Sequence, residues 1–191
     1  NLFVYDARGR ILAVSNQSES RIVGTVLSDD LSHDTLMLDN SQAYAVSSFQ
    51  STPLYGGRHT YIYGAAITDP VKTDRIVGGI GIVFDSEPQF EQMLLDTLPR
   101  DDNEQVVEGC FAVFAEPSGR VIAATPQSVE RPGDNIDLDQ RFLNLASGEK
   151  CAEIISYHGK RYTLGAAVSR GYREYKTTGD YSNDVIALVF M

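Results

Sequence analysis

The stretch SRGYREYKTTGDYSND (169–184) crowds Tyr172, Arg173, Tyr175, Lys176 and Tyr181 between two apolar runs. Arginine offers a planar fork to a carboxylate, lysine a point charge to any anion, and tyrosine a flat apolar face with a polar tip. Together they suit a small anionic or zwitterionic ligand, or a protein partner. The same alternation also fits an exposed hairpin, with Tyr172 and Glu174 on one face and Arg173 and Tyr175 on the other. A second concentration, SSFQSTPLYGGRHTYIYGAA (47–66), gathers Tyr55, Arg58, Tyr61 and Tyr63. Its tyrosines equally fit a strand that covers its own sheet, because aromatic residues favour strands for packing alone.

Catalytic chemistry finds no comparable support. The three histidines, His33, His59 and His158, are scattered without metal-ligand spacing. His33 and His158 read as solvated and His59 as the structural start of a strand. Gly56-Gly57 and Gly78-Gly79 lack the strand–GxGxxG–helix setting of a nucleotide loop and read as turns or strand kinks. Asp29-Asp30 and Asp101-Asp102 sit in polar connections and read as solvated surface. Cys110 and Cys151 have no CxxC partner and no nearby histidine, so two free thiols are expected rather than zinc. No catalytic residue, metal or cofactor is expected. Acidic residues outnumber Lys and Arg 26 to 16, for a net charge of −10, which argues against nucleic acid and anionic membrane as partners. No apolar run approaches the ~18 residues of a membrane-spanning helix. The chain opens on an apolar strand, NLFVYD, without an initiator methionine, so a piece of a longer protein is expected.

The elements that must position these groups repeat. LFVYDARGRILAVSN (2–16) parallels FAVFAEPSGRVIAATP (111–126), with Gly9-Arg10 matching Gly119-Arg120. RIVGTVLSDDL (21–31) parallels RPGDNIDLDQRFL (131–143). RHTYIYGAAI (58–67) parallels GKRYTLGAAV (159–168), and GIGIVFD (79–85) parallels VIALVFM (185–191), matching Gly64 to Gly165 and Phe84 to Phe190. Four matches in one order predict two tandem modules, 1–85 and 109–191, with a connecting helix and linker over 86–108. Each module reads as two strands joined by a tight turn, a polar and partly helical stretch, and three more strands, the last and most apolar at the centre. In the second module Asp137 is the expected helix cap, Gly148 the stop, and His158-Gly159 a hairpin turn. Phe90, Met93, Leu94 and Leu98 form the apolar stripe of the connecting helix, expected to dock on the first module or to bridge the two sheets.

The fold class is therefore α+β, with two mainly antiparallel five-stranded sheets flanked by helices. Such modules are PAS-like, and the pair resembles the double Cache family, the sensing regions of bacterial chemoreceptors and related signalling proteins. The segments that carry the resemblance are LFVYDARGRILAVSN, GAAITD with RIVGGIGIVFD, FAVFAEPSGRVIAAT and PGDNIDL. It implies the periplasmic part of an inner-membrane receptor that binds a small molecule, allows a homodimer, and relays a change to an output domain in the same full-length chain. It also implies a ligand in the first module, between the sheet and its helix–loop cover. There Arg58 would pair with a carboxylate, Tyr61 or Tyr63 would line the wall, and Asp69 would take an amine. The Tyr-x4-Arg-x-Trp-Tyr pattern of amino-acid-binding members is absent, and the chain has no tryptophan. Amino acids are thus not carried over as ligands. Two alternatives stay open: a non-enzymatic interaction or dimerisation module, and a cytoplasmic PAS/GAF-type sensor. Between shared landmarks the second module is longer, 25 positions from Gly165 to Phe190 against 20 from Gly64 to Phe84. The extra residues fall in the Tyr/Arg-rich loop, and elaborated loops are where function concentrates.

Overall fold

The computed structural model describes residues 1–27, 30–39, 43–72, 75–85, 87–169 and 184–191. The chain is α+β with antiparallel sheets, and its described residues divide into two compact units, one over 1–85 and one over 87–169 with 184–191.

The first unit starts with a hairpin, β1 (Leu2–Asp6) and β2 (Ile11–Val14). Its turn is built locally. Asp6 Oδ1 accepts the Arg8 and Arg10 amides at 2.8 and 3.0 Å, and Gly9 takes a φ of 73° that an L side chain resists. A 3-10 turn (Gln17–Ile22) follows, capped by Asn16, and then α1 (Asp30–Leu36). The remaining strands are β3 (Ala45–Val46), β4 (Gln50–Ser51), β5 (His59–Thr60), β6 (Ile62–Thr68) and β7 (Ile76–Val83). The sheet order is β2-β1-β7-β6-β3, so the last and most apolar strand is central, while β4 and β5 pair separately. Ile62, Gly64 and Val83 face the core with Phe3, Tyr5, Ile11, Leu31 and Leu54, and α1 packs over β6 and β7 on that side.

Gly78, Gly79 and Gly81 lie inside β7, with a register shift between Ile67 and Thr68 opposite Gly78, so of turn and strand kink only the turn is corrected. A Cβ at Gly79 would overlap the Tyr5 ring, and one at Gly81 the Phe3 ring. The glycines make room for two aromatic rings of β1, stacked 5.8 Å apart, to lie down across the neighbouring strand.

The second unit contains α2 (Glu87–Thr97), β8 (Phe111–Ala115), β9 (Val121–Ala124), α3 (Gln140–Leu143), β10 (Lys150–Tyr157), β11 (Lys160–Val168) and β12 (Ile186–Phe190). Its sheet order is β10-β11-β12-β8-β9, again with the last strand central. The core side holds Phe111 stacked on Phe190 at 4.3 Å, with Val113, Leu164, Leu188 and Phe142. The cap of α3 is Asp139, whose side chain accepts the Arg141 amide, not Asp137. The helix ends at Asn144, well short of Gly148, because it has only one turn of core to cover. His158-Gly159 forms the expected two-residue turn, both residues at positive φ, with Tyr157 paired to Lys160.

The connecting helix belongs to the second unit. Leu94 of α2, and Leu98 just beyond it, are 1% and 4% exposed against Cys110, Ala112 and Ala123, on the sheet side away from α3. Phe90 meets Phe114 edge-on at 5.8 Å. The expectation of docking on the first module or bridging two sheets gives way to this packing. The small side chains of β8 and β9 leave a shallow bed into which the helix sets its leucines, each burial contributing about 1.5–3 kcal/mol.

The internal repeat extends to hydrogen bonding. Ile11 donates to Thr25 O and Gly24 to Ile11 O, as Val121 donates to Asp134 O and Gly133 to Val121 O. Both hairpins break register at the same place, between Val4 and Tyr5 and between Phe114 and Ala115. Two of the four sequence matches slip by a residue. Gly81 opposes Phe3 as Leu188 opposes Val113, so Phe190 corresponds to Val83 rather than Phe84, and Gly165 to Tyr63 rather than Gly64. A slip of one reverses the face of every side chain.

Candidate functional site

Tyr172, Arg173, Tyr175, Lys176 and Tyr181 lie outside the described residues. The connection that holds them, between β11 and β12, runs over 169–185, against 69–75 between β6 and β7.

In the first unit, Thr52 caps a 3-10 turn (Pro53–Tyr55), its hydroxyl accepting the Leu54 amide at 3.2 Å. Gly56 and Gly57 then take φ values of 63° and 82° and fold the chain back on itself. Arg58 donates its amide to Tyr55 O, and its guanidinium carbon stands 3.6 Å above the Tyr55 ring centroid. Tyr55 is half-buried against the first core, and its hydroxyl donates to Asp85 Oδ1 just beyond β7. One exposed guanidinium, one phenol and one carboxylate are thus brought together. A guanidinium over a tyrosine ring is a cation–π contact, and guanidinium is the group whose planar fork matches a carboxylate. Asp85 escaped the sequence reading. Its only signal is the acidic end of an apolar strand, GIGIVFD.

Tyr61 and Tyr63 do not join this group. They flank Ile62, which is 0% exposed in the core, so both project to the opposite face of the sheet from α1. Tyr61 is buried there against Phe49, ring centroids 5.3 Å apart, and Phe49 also stacks on His59. Tyr63 lies 6.1 Å from the Tyr44 ring, and partial burial with that neighbour pushes its phenol above the usual value. Asp69 stands at the far end of β6. Its Oδ1 accepts the Val71 and Lys72 amides at 2.8 and 3.2 Å, closing the turn toward β7.

The second unit holds a polar cluster that the sequence reading missed. The Glu130 carboxylate, only 7% exposed, accepts hydrogen bonds from Ser128 Oγ and Tyr157 OH and sits 3.2 Å from His158 Nε2. Burial alone would raise its pKa, but the donors from Ser128, Tyr157 and His158 outweigh it and hold the carboxyl below its ordinary range. Burial and the facing Glu130 charge push the Tyr157 phenol upward. Arg131 Nη1 donates to the Ser128 and Glu130 carbonyls. Protein donors occupy both carboxylate oxygens, so the cluster works as a clasp between the β10–β11 turn and the loop after β9. His158, expected to be solvated, is half-exposed and takes part in it. Cys110 is buried and Cys151 half-buried, both free, and burial pushes the Cys110 thiol up. Among the described residues, no group of three or more His, Cys, Asp or Glu is placed to hold a metal ion. None of the described helices is long and apolar enough to cross a membrane.

No family model matches the sequence, and no curated protein matches it. Solved structures do match over the whole chain. An extracellular ligand-binding receptor from Desulfohalobium retbaense DSM5692 superposes with a TM-score of 0.64 at 14% identity, over 100% of this chain and 30% of that one. The ligand-binding domain of the Campylobacter jejuni chemoreceptor Tlp3, in complex with 4-methylisoleucine, gives 0.60 at 10% identity, over 100% and 64%. The sensor domain of the V. cholerae histidine kinase DctB gives 0.57 at 11% identity, over 99% and 70%. The chain thus spans under a third of the first structure's length. With both units and their shared hairpin geometry in hand, these likenesses fix the architecture: the chain carries the Cache-type fold of chemoreceptor and histidine-kinase sensor domains.

Proposed function

We propose that this chain is the ligand-sensing region of a bacterial signal-transduction receptor of the chemotaxis type, a binding domain rather than an enzyme. The observation that carries the reading is a fold shared along the full chain with sensor domains, one of them solved with a small amino-acid derivative bound. In this reading the two units are tandem PAS/Cache-like modules. The domain is periplasmic, and an output domain in the full-length chain receives the signal.

The ligand site we propose is the Tyr55–Arg58–Asp85 group of the first module. Arg58 takes a carboxylate, the Tyr55 ring forms an apolar wall, and Asp85 rather than Asp69 receives an amine, because Asp69 is committed to its turn. Tyr172, Arg173, Tyr175, Lys176 and Tyr181, in the sequence between β11 and β12, are a second and separate set of candidate ligand contacts. A ligand that favours one arrangement of the loops over another biases the output by its difference in affinity for the two.

A thermal-shift screen against amino acids, small carboxylates, amines and nucleobases tests this. A ligand at about 100 times its Kd stabilises by roughly 2.7 kcal/mol. At roughly 2–4 °C per kcal/mol for a chain of this size, the midpoint rises by several degrees. The expected result is such a rise with one carboxylate-bearing class, abolished by Arg58→Ala without loss of folding. No shift across the panel, or a shift that Arg58→Ala and Arg173→Ala both leave intact, contradicts the proposal.

A further inference from the structure

The outer edge of the second sheet is long and regular. β10 pairs with β11 residue for residue from Lys150 to Tyr157, with no register shift and no proline. Its hydrogen-bond phase is set at the ends of β11. Val168 donates to Glu149 O, while Thr163 and Met191 exchange bonds on the other side of β11. By alternation Cys151, Glu153, Ile155 and Tyr157 turn their main-chain groups toward β11, and Lys150, Ala152, Ile154 and Ser156 turn theirs outward. Among the described residues, no strand pairs with β10 on that side.

An edge of this kind is a template for another strand, and proteins blunt it with short strands, bulges, prolines or charges. The first unit uses the first device. The strand at the corresponding place in its sheet, β3, has two residues, against eight in β10. The only charge on β10 beyond its first residue is Glu153, and it is already neutralised. Arg141 forms an ion pair with it, and Arg141 Nη1 donates to Glu153 Oε1 at 3.2 Å. The next residue, Ile154, is 65% exposed.

We infer that the β10 edge is the seat of a second copy of this chain, the two β10 strands pairing antiparallel about a two-fold axis at Ile154. The sequence selects both the occupant and the register. In a continuous sheet built about such an axis, one residue meets its own copy. The registers that overlap most put either Glu153 or Ile154 on the axis. With Glu153 there, two carboxylates oppose each other, which is unfavourable. With Ile154 there, isoleucine meets isoleucine, Ala152 meets position 156, Cys151 meets position 157, and no charges of one sign oppose across 151–157. A strand that fits itself in this way needs no foreign sequence, and two-fold pairing is the commonest closed assembly.

Disulfide coupling and molar mass test the inference. A hydrogen-bonded antiparallel pair holds its Cα atoms about 5.5 Å apart, within disulfide reach. Ile154→Cys should therefore couple between copies about tenfold or more faster than Ser156→Cys, which faces position 152 instead. Sedimentation from about 1 μM to about 1 mM should show monomer and dimer exchanging, because one strand pair is a small interface. Ile154→Lys, a charge at an exposed site, should weaken the dimer about tenfold or more and leave the melting temperature of the dilute protein unchanged. Amide exchange at 152, 154 and 156 should slow as protein concentration rises. Equal coupling of the two cysteine variants overturns the inference, as does a monomer throughout that range or a dimer that Ile154→Lys leaves intact. Protection independent of concentration overturns it by assigning the edge to a segment of the same chain. Protection that appears only when an extended peptide is added overturns it by assigning the edge to a different partner.

Discussion

In the second unit, α2 seals Ala112 and Ala123 to 1% exposure or less, while the matching rows of the first unit leave Leu2 and Ile82 at 44% and 47%. The core sides differ as well. In the first unit two aromatic rings of β1 fold onto glycines of β7, whereas in the second unit Phe111 and Phe190 stack directly across the same strand pair. Yet the hairpins, their shared irregularity and the loop hydrogen bonds that follow are alike. Backbone geometry is kept where turns and cross-strand bonds dictate it. What is laid on either face of the sheet is set by side-chain volume, and it has diverged.

The strongest way to break this comparison is in the cores. Leu94→Ala should cost about 2–5 kcal/mol, because it empties a closed bed, while Ile82→Ala in residues 1–191 should cost within about 0.5 kcal/mol, as for an exposed site. Denaturant midpoints of the two variants read the difference, and equal losses would contradict the contrast between a sealed Leu94 and an exposed Ile82. Next in size are the glycines. Gly81→Ala forces a methyl into the Phe3 ring and should cost about 1–3 kcal/mol. At Gly165, the position on β11 that answers to Tyr63, a Cβ meets nothing within 4 Å, so Gly165→Ala should be neutral or stabilising by up to about 1 kcal/mol.

The Glu130 clasp sharpens the contrast through pH. Its folded pKa is depressed, so the stability it contributes is fully present above the unfolded value of about 4.3 and is lost as pH falls through the lower folded value. Glu130→Gln should therefore cost about 1–3 kcal/mol at neutral pH and flatten the acid limb of a stability–pH profile measured by urea melts. An unchanged acid limb would mean that the clasp carries no charge linkage. The smallest effect belongs to Arg58→Ala. Losing an exposed cation–π contact should cost only about 0.5–1 kcal/mol, so a loss of ligand response in that variant would not be a loss of fold.

Much of this architecture can be read from side-chain pattern. Gly-Arg after a short polar run marks both hairpins, and the most apolar segment marks each central strand, because turns and burial impose themselves locally. The facing of GAA could not be read. Gly64-Ala65-Ala66 and Gly165-Ala166-Ala167 are identical in type, yet Gly64 faces the core in one unit and Ala166 in the other. Residues this small carry no face preference, so alignment by identity slips a register. The resemblance implies a pocket wall from Tyr61 or Tyr63, and period two around buried Ile62 puts both on the sheet face opposite that residue. Asp69 was legible as a carboxylate but not as a turn acceptor, a role that depends on the amides of Val71 and Lys72. Ser128, Glu130, Tyr157 and His158 meet only when the sheet has formed, so no local spacing announces them. The docking of α2 was illegible for a related reason: an apolar stripe says that a helix packs, and only alanines in β8 and β9 say where.

The most direct measurement of the sensing role is amide hydrogen exchange of the protein with and without the carboxylate-bearing ligand selected by thermal shift. Slowed exchange is expected in the first unit, at residues 53–60 around the Tyr55–Arg58 turn and at the end of β7 beside Asp85, with β10 unchanged. A bound ligand whose protection falls only in the second unit, or a panel in which no compound protects any segment, would contradict that role.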